Sequence, residues 1–346
     1  MKNKIIKIKY VDFWRKFIPE HDTIYMLLKQ NGFDVELSEQ PDYLICGVFG
    51  KDALQEHYDE CIKIFFTGEN ICPDFNLYDY AVGCDYINFG ERYFRFPHYY
   101  DVQYEKTWEM LSQKHLNTKD TLRRKTDFCS FVYSNSNGNP IRKQFFCELS
   151  KYKRIDSGGR YLNNIGTTGV PDKIEFESKH KFSIAFENTS HPGYITEKLI
   201  QAFAASTIPI YWGDTTVSSV FNPKSFICVH DFETLADVIN RIKIVDENDD
   251  LFLQYLNTPA LLDSTKFNRA EQVTCLLNFL NNIFSQPKEK AFRRNREFWG
   301  EIYISEIRRL IKSCEEQTTV EKFIRIARTE GWAGIQSRIK DKLRRN

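Results

Sequence analysis

The chain has 346 residues, of which 42% are hydrophobic and 27% charged, and its formal net charge at neutral pH is +1. This length allows two domains, because single cores stop growing at about 250–300 residues, and the composition is that of a globular protein. The low net charge gives no general attraction to nucleic acid, so we expect no such partner and a local patch for any charged ligand.

The nine cysteines are scattered, odd in number and contain no C-x-x-C pair. Most, such as Cys46 and Cys129, lie inside apolar runs, which favours reduced, buried thiols over a disulfide or zinc framework. The basic amino-terminal segment lacks the uninterrupted apolar core of a signal peptide, and no run approaches the ~20 apolar residues of a membrane span. These features predict a cytoplasmic protein.

Short apolar runs alternate with helical patterns through the first 100 residues. Strands are predicted over Ile5–Val11, Tyr43–Phe49 and Cys61–Phe66, and helices over Thr23–Gln30 and Ala53–Glu60. Helices between strands indicate a parallel sheet with helices on its faces. The stretch 101–126 then becomes polar and basic, so we assign residues 1–120 to a first domain. Arg123, Arg124 and Lys125 are interpreted as a solvated linker.

The same alternation restarts at Asp127 and predicts a second α/β domain over residues 121–290. Strands are predicted over Asp127–Tyr133, Phe182–Phe186, Thr207–Tyr211 and Ser225–Val229. Helices are predicted from Pro140 behind an Asn139 cap, along the apolar stripe Ile195, Leu199, Ala202 and Phe203, and over Phe232–Val245 behind an Asp231 cap. The acidic run 246–250 is interpreted as a solvated turn.

Two of these helices carry cations in their first turns, where the helix dipole already places positive partial charge. Arg142 and Lys143 follow Pro140, and Lys198 opens the helix that precedes the strand at Thr207. One such case means little, because it costs only about 0.3–1 kcal/mol. Two cases in one domain suggest a shared site for a polyanion, since helix amino termini also bind phosphate.

Glu69 follows the predicted strand Cys61–Phe66, at the edge of the sheet where ligands gather in parallel α/β folds. One interpretation is an ordinary surface carboxylate on a loop. The other is a general base facing an interdomain cleft, since a carboxylate there can accept a proton from a substrate. The residues alone leave both interpretations open.

Several other ligand classes are disfavoured. The glycine-containing loops 157–160 and 166–169 show neither a dinucleotide fingerprint after a strand nor a P-loop. The seven histidines form no i, i+4 pair, and the nearest acidic pair, Asp231 and Glu233, is more simply a helix cap. We therefore expect no required cofactor or metal, with a divalent ion at most stimulatory.

Residues 291–346 are predicted to form a helical, basic tail. The segment 321–346 contains eight Lys or Arg against three acidic residues, with apolar residues at helical spacing. Such a helix can lie on an anionic surface, which would place the protein at the inner face of the cytoplasmic membrane. A helix docked on the body of the protein fits the pattern as well, and Gly331 and Gly334 weaken any long helix.

The segment 186–213, FENTSHPGYITEKLIQAFAASTIPIYWG, closely resembles the donor-site signature of the α-1,3-fucosyltransferases, with the bacterial members most similar. The segments 65–101, 131–146 and 221–232 extend the resemblance over most of residues 61–245. The resemblance implies a GT-B fold, in which two Rossmann-like domains face each other across a cleft. It implies that residues 1–120 form an acceptor-binding domain and residues 121–290 a GDP-fucose-binding domain. The tandem heptad repeats of some bacterial relatives are absent, so dimerisation does not follow.

The resemblance also implies an activity and a set of roles. The family transfers L-fucose from GDP-fucose, with inversion, to GlcNAc-containing acceptors such as N-acetyllactosamine in Lewis-type glycans or lipopolysaccharide. Glu69, in the T-G-E-N motif, corresponds to the family's proposed general base. On the donor side, the implied residues are Arg142 and Lys198 for the diphosphate, Glu197, Asn188 and Tyr194 for ribose, fucose or guanine, and Ser134 in the F-V-x-S-N segment.

Three alternatives stay open at this stage. The transfer could have α-1,3/4 or another linkage specificity on a different acceptor. The chain could be an inactive glycan-binding homologue, although such a protein has little need for two cationic helix starts and an acid at the cleft. A Rossmann-type enzyme that modifies a nucleotide sugar is disfavoured by the missing glycine fingerprint.

Overall fold

Two parallel β-sheets, each covered by helices, form the architecture of the chain. The computed structural model describes residues 5–113, 116–294 and 297–314. The first sheet contains β1 (Ile6–Val11), β2 (Val35–Leu37), β3 (Tyr43–Cys46), β4 (Ile62–Phe66), β5 (Tyr80–Gly83) and β6 (Tyr93–Arg95). The second contains β7 (Asp127–Phe131), β8 (Ile155–Ser157), β9 (His180–Phe186), β10 (Ile208–Trp212) and β11 (Ile227–Cys228). The predicted α/β class is confirmed.

The strand order places a crevice at the same point of each sheet. The first sheet runs β2-β1-β3-β4-β5-β6 and the second β8-β7-β9-β10-β11. In each sheet the second strand in the chain lies on one side of the first strand, β1 or β7, and all later strands are added on the other side. The order therefore reverses between β1 and β3 and between β7 and β9. Ligands bind in such sheets outside the carboxyl ends of the strands at the point of reversal. The two crevices therefore lie after β1 and β3, and after β7 and β9.

The central strands are continuous apolar runs because helices cover both faces of each sheet. Every residue of β4 and β10 is buried. The helices are α1 (Thr23–Gln30), α2 (Glu105–Ser112), α3 (Lys119–Arg124), α4 (Ile141–Leu149), α5 (Lys173–Ser178), α6 (Glu197–Ala204), α7 (Leu235–Asp246), α8 (Asp249–Asn257), α9 (Arg269–Ser285), α10 (Lys288–Ala291) and α11 (299–314).

Several local predictions were wrong. The stretch predicted as the helix Ala53–Glu60 forms two 3₁₀ turns, because Gln55 between them has an extended backbone. The helix α7 begins behind Thr234 rather than Asp231, because Thr234 and Asp237 form a reciprocal capping box. The short strands β2, β5, β6 and β8 were not predicted, since three or four residues give too little alternation to read.

Two charged residues assigned to solvent are buried instead. Lys125 donates to the carbonyl oxygens of Ser178 and Ala205 at 2.7 and 3.1 Å, so it ties the interdomain segment to the second domain. Asp246 accepts hydrogen bonds from Lys153 and Lys181, with Lys181 Nζ at 2.9 Å. Each group enters the interior because hydrogen-bonding partners satisfy it there.

The chain returns to the first sheet near its carboxyl end. Leu276, Leu280, Ile283 and Phe284 of α9 are buried in the same cluster as the core of the first sheet. The carboxylate of Asp79 forms a buried ion pair with Arg294. Within the described residues, no helix combines the length and apolarity needed to cross a bilayer. The basic segment 321–346 lies outside the described residues, so its membrane contact stays a prediction.

Candidate active site

A cavity of about 500 Å³ lies where the carboxyl ends of the two sheets meet. Residues of the first domain line one side, including Glu69 in the loop after β4. Asn188, Tyr194, Glu197 and Lys198 line the other side, from the loop after β9 and the first turn of α6. The fold thus brings together five of the seven residues predicted for the site.

Glu69 is held by its backbone and leaves its carboxylate exposed to the cavity. Its N–H donates to Thr67 Oγ1 at 3.0 Å, which fixes the turn at the end of β4. The next residue, Asn70, donates to Thr189 Oγ1 of the second domain at 2.6 Å. This turn is therefore positioned by both domains, and an ionised carboxylate there can accept a proton from a bound hydroxyl.

Lys198 already has an anionic partner within the protein. Its Nζ lies 3.0 Å from Oε2 of Glu187, the residue that directly follows β9, and Glu187 is fully buried. Glu187 also accepts hydrogen bonds from the N–H of Thr196 at 2.7 Å and from its hydroxyl. Burial opposes the charge on Lys198, but Glu187 and Glu197 outweigh it and raise the pKa of Lys198 well above its usual range.

Glu197 lies between Lys198 and His98 at the start of α6. Its Oε1 lies 3.6 Å from Lys198 Nζ, and its Oε2 lies 4.0 Å from His98 Nε2 of the first domain. Burial alone would raise the pKa of Glu197. Lys198 and His98 outweigh this effect and lower the pKa from 4.5 to about 2. Glu197 is thus ionised at neutral pH and can accept hydrogen bonds from the hydroxyl groups of a ligand.

Arg142 lies directly behind Asn188 and is almost fully buried. Its guanidinium donates to Asn188 Oδ1 at 2.7 Å and to the carbonyl oxygen of Glu187 at 3.1 Å, and it stacks on the ring of Tyr133. Among the described residues its Nε has no hydrogen-bond partner, although that atom is buried. A buried donor without a partner is costly, so this guanidinium retains capacity for a further acceptor.

Arg142 borders a second hollow, of about 480 Å³. It is lined by residues of the 136–148 segment around the start of α4, together with Tyr161. Arg142 thus borders this hollow and also contacts Asn188, which lines the interdomain cavity. Ser134 is exposed on the loop after β7 and lines neither of these two hollows, so the structure does not bring it to the other predicted residues.

Two residues of the candidate active site, Glu187 and His98, were not predicted from the sequence. Glu187 was read only as part of a motif, although the unexplained cation at Lys198 was a signal that a nearby acid was needed. His98 lies on a 3₁₀ turn in the aromatic stretch after β6, and its Nε2 is 3.2 Å from the Tyr104 hydroxyl. No spacing rule links His98 to Glu197, 99 positions later, because only the interdomain packing brings them together.

Potential metal ligands are grouped elsewhere. In the part of the chain that the structure describes, Asp127, Asp156 and His180 bring three ligand atoms within 4.8 Å of one another. Asp127 and His180 are the first residues of β7 and β9, so this group lies at the sheet edge opposite the cavity. His180 already contacts the Phe176 carbonyl at 2.9 Å, which fits a structural role.

Comparison with known proteins gives consistent matches. Residues 8–104 match the alpha-(1,3)-fucosyltransferase FucT N-terminal domain, and residues 122–288 match the glycosyltransferase family 10 (fucosyltransferase) carboxyl-terminal domain. The alpha-(1,3)-fucosyltransferase FucT of Helicobacter pylori is 34% identical over 288 residues, which cover 72% of this chain and 59% of that protein. The mouse 4-galactosyl-N-acetylglucosaminide 3-alpha-L-fucosyltransferase 9 is 36% identical over 131 residues, 37% of this chain and 35% of that protein. The chain thus spans 59% and 35% of the length of these two relatives.

A solved structure matches over most of its length. The crystal structure of an alpha1,3-fucosyltransferase with GDP-fucose has a TM-score of 0.64 and 30% identity, covering 80% of this chain and 90% of that one. Two Rossmann-like domains with a cavity at the carboxyl ends of both sheets are the architecture of the GT-B fold. The chain belongs to glycosyltransferase family 10, the fucosyltransferases. The predicted family and fold class are therefore confirmed.

Proposed function

We propose that this chain transfers L-fucose from GDP-fucose to O3 of a GlcNAc residue in a glycan such as N-acetyllactosamine, with inversion at the anomeric carbon. The observation that carries the proposal is the shared cavity. It places Glu69 of the first domain opposite Glu197 and Lys198 of the second. One domain thus offers a proton acceptor and the other a cation, which are the two groups that the displacement of a diphosphate requires.

The donor is assigned to the second domain. The diphosphate would lie at the start of α6, near Lys198, and reach Arg142, whose buried Nε has no partner among the described residues. The hollow beside α4 could then hold the nucleoside, since Arg142 borders it. The crystallised relative with bound GDP-fucose supports this donor. Glu197, ionised at neutral pH, would accept hydrogen bonds from hydroxyl groups of ribose or fucose.

The reaction would proceed by a single displacement. Glu69 takes the proton of the acceptor hydroxyl while its oxygen attacks the anomeric carbon of fucose. The bond from that carbon to the phosphate oxygen breaks on the opposite face, and GDP leaves with the bonding electrons. Lys198 and Arg142 would stabilise the negative charge that develops on the leaving diphosphate. Attack from the face opposite GDP inverts the anomeric configuration.

The direct test is incubation with GDP-fucose and N-acetyllactosamine, followed by mass spectrometry and linkage analysis of the product. We expect an increase of one deoxyhexose, attached in α configuration to O3 of GlcNAc. The name of the mouse relative supports this acceptor. Transfer to O4 of the isomeric acceptor, in which galactose occupies O3 of GlcNAc instead of O4, would establish the α-1,3/4 alternative. The absence of transfer to any acceptor in a panel of glycans, with GDP still bound, would favour the inactive glycan-binding homologue.

We also propose that the reaction requires no metal ion. The charge of the diphosphate would be balanced by Lys198, Arg142 and the amino termini of α4 and α6. Transfer should therefore continue in excess EDTA, with added Mg²⁺ or Mn²⁺ at most increasing the rate. Complete and reversible loss of transfer in EDTA would contradict this proposal.

A further inference from the structure

On the first-domain side of the cavity, four aromatic residues pack against one another, Phe13, Trp14, Phe17 and Phe49, here called the aromatic wall. Phe13 and Phe17 stack with their ring centroids 4.1 Å apart. Trp14 packs edge-on against Phe17 at 4.9 Å and against Phe49 at 6.1 Å. Trp14 and Phe49 nevertheless remain 54% exposed. Large aromatic side chains left open in a cavity mark a binding surface, because their exposure costs hydrophobic free energy.

The wall occupies the crevice of the first sheet. Residues 12–14 directly follow β1 and residues 47–49 directly follow β3, the two strands between which the direction of addition reverses. The equivalent crevice of the second sheet holds Glu187 and Asn188, directly after β9. Each domain therefore presents its own ligand crevice to one shared cavity. The proposed donor uses the crevice of the second domain and leaves that of the first for another ligand.

The two loops that carry the wall are locked together before any ligand binds. Asp12 has a left-handed backbone, with φ of 63°, and its carboxylate accepts the N–H groups of Asp52 and Ala53 at 2.7 and 2.9 Å. A β-carbon on Gly47 would lie 2.4 Å from the Asp12 carbonyl oxygen, and one on Gly50 would lie 2.3 Å from its carboxylate. Only glycine allows this approach, which brings Phe49 against Trp14. The binding surface is thus preorganised, which reduces the entropic cost of binding.

Polar side chains complete the surface around the wall. Lys16, His21 and Gln103 line the same cavity and are exposed. A pyranose matches this combination, because one face of the ring presents C–H bonds and its rim presents hydroxyl groups. The apolar face can stack on an aromatic ring while the hydroxyl groups bind the polar side chains.

We propose that Trp14 and Phe49 of the aromatic wall stack on the pyranose ring of the acceptor that carries the attacked hydroxyl. This subsite rests on the proposed fucosyl transfer. Its position explains how that hydroxyl is presented, because Glu69 lines the same cavity from the same domain. The wall holds the sugar by its ring, so the hydroxyl can face Glu69 on one side and the fucose on the other.

The test compares Trp14→Ala and Phe49→Ala with the wild type, using GDP-fucose and N-acetyllactosamine. Each variant should raise the KM for the acceptor about tenfold or more, as expected for the loss of a stacking contact of about 1.5 kcal/mol. The KM for GDP-fucose, the Kd for GDP and the slow hydrolysis of GDP-fucose by water should stay within about twofold of the wild type. Trp14→Phe, which keeps a ring, should recover most of the acceptor affinity.

Trp299→Ala is the matched control, because Trp299 is 73% exposed and does not line the cavity. It should leave every constant unchanged. An increase in the KM for GDP-fucose rather than for the acceptor would assign the wall to the donor and overturn the proposal. A change of particle mass in sedimentation would assign it to a contact between copies, with the same consequence. A wild-type acceptor KM in both alanine variants would overturn the subsite alone, whereas a wild type without transfer would remove the proposed function and the subsite with it.

Discussion

Glu187 and Lys198 form a buried ion pair at the point where β9 and α6 converge, with 3.0 Å between Oε2 and Nζ. The first-turn cation therefore has its own counter-ion, and the carboxylate also accepts the backbone N–H of Thr196 at the start of α6. One group thus neutralises Lys198, fixes its position and satisfies a free donor of the helix. The pair prepares the cation for a ligand without leaving an isolated charge in the interior.

Breaking this pair should destabilise the protein strongly. Glu187→Gln removes the charge but keeps an oxygen that Thr196 can use, so the loss comes mainly from the uncompensated Lys198. We expect the free energy of unfolding to fall by about 3 kcal/mol or more. In a double-mutant cycle with Lys198→Met, measured by urea denaturation, the two changes should couple by at least about 1 kcal/mol.

A surface pair provides the control for that cycle. Lys151 and Glu148 lie 2.7 Å apart, but their side chains are 69% and 43% exposed. Their coupling energy in the same kind of cycle should remain below about 1 kcal/mol, because water screens exposed charges. Equal coupling energies for the two pairs would show that Glu187 does not act as the counter-ion of Lys198.

Removing Lys198 should weaken phosphate binding selectively. A charge-assisted hydrogen bond contributes about 1.5–3 kcal/mol, so Lys198→Met should raise the Kd for GDP by about tenfold or more. Guanosine lacks the diphosphate, so its Kd should change little. Calorimetric titration measures the Kd for GDP and for guanosine. The same titrations with the double variant Glu187→Gln, Lys198→Met provide a control in which no buried carboxylate is left unpaired. An unchanged Kd for GDP would place the diphosphate elsewhere.

Neutralising Glu69 should affect chemistry more than binding. Glu69→Gln preserves the size of the side chain and removes its ability to accept a proton, so transfer should fall by about 10²–10⁴-fold. The Kd for GDP should remain close to that of the wild type, because the donor is proposed to bind to the other domain. Glu36→Gln, on the exposed strand β2, is the control and should keep full activity. Full transfer by the Glu69 variant would exclude this residue as the base.

The elements with clear periodicity could be predicted from the sequence. The helix Thr23–Gln30 was predicted with the bounds that the structure gives, because Asn31-Gly32 is a clear stop signal, and the structure adds the Asp22 cap at its start. The strand at Asp127 and the helix after Pro140 were also found, since apolar runs and caps are local signals. These local signals predicted the order of the helices and strands, because secondary-structure propensity and the pattern of burial agree in these segments.

The charged interior could not be predicted in the same way. Lys125, Asp246 and Glu187 look like surface residues in sequence, and each is buried because the tertiary structure supplies a partner. The partners of Lys125 and Asp246 lie far along the chain, whereas those of Glu187 are Thr196 and Lys198, 9 and 11 positions later. The partners of Asp246, for example, are Lys153 and Lys181, about 65 to 93 positions earlier. Tertiary packing alone decides whether such a group meets water or a counter-charge, so a first-turn cation did not require an external anion.

A buried carboxyl at the floor of the cavity predicts a specific pH dependence of stability. Asp22 caps α1 through the N–H of Ile24 at 2.9 Å and accepts the Tyr10 hydroxyl at 2.7 Å. Burial raises its pKa from 3.8 to about 7, although the hydrogen bond from Tyr10 opposes this shift. Between pH 4 and 7 the folded state therefore holds a proton that the unfolded state has lost. Stability from this group falls as the pH rises through that window.

Asp22→Asn should remove that dependence. Asparagine keeps the oxygen that accepts both hydrogen bonds and carries no charge at any pH, so the variant should gain stability relative to the wild type between pH 5 and pH 8. The upper limit of this gain is about 2.7 kcal/mol, because the folded-state pKa of about 7 lies about two units above pH 5 and each unit corresponds to about 1.36 kcal/mol. Urea denaturation at both pH values measures it. The exposed Asp263, whose pKa hydrogen bonds from Thr265 lower, provides the control, because Asp263→Asn should differ from the wild type equally at the two pH values. If Asp22→Asn also changed the free energy of unfolding by the same amount at pH 5 and pH 8, Asp22 would be ionised in the folded protein over this whole range, which contradicts the prediction.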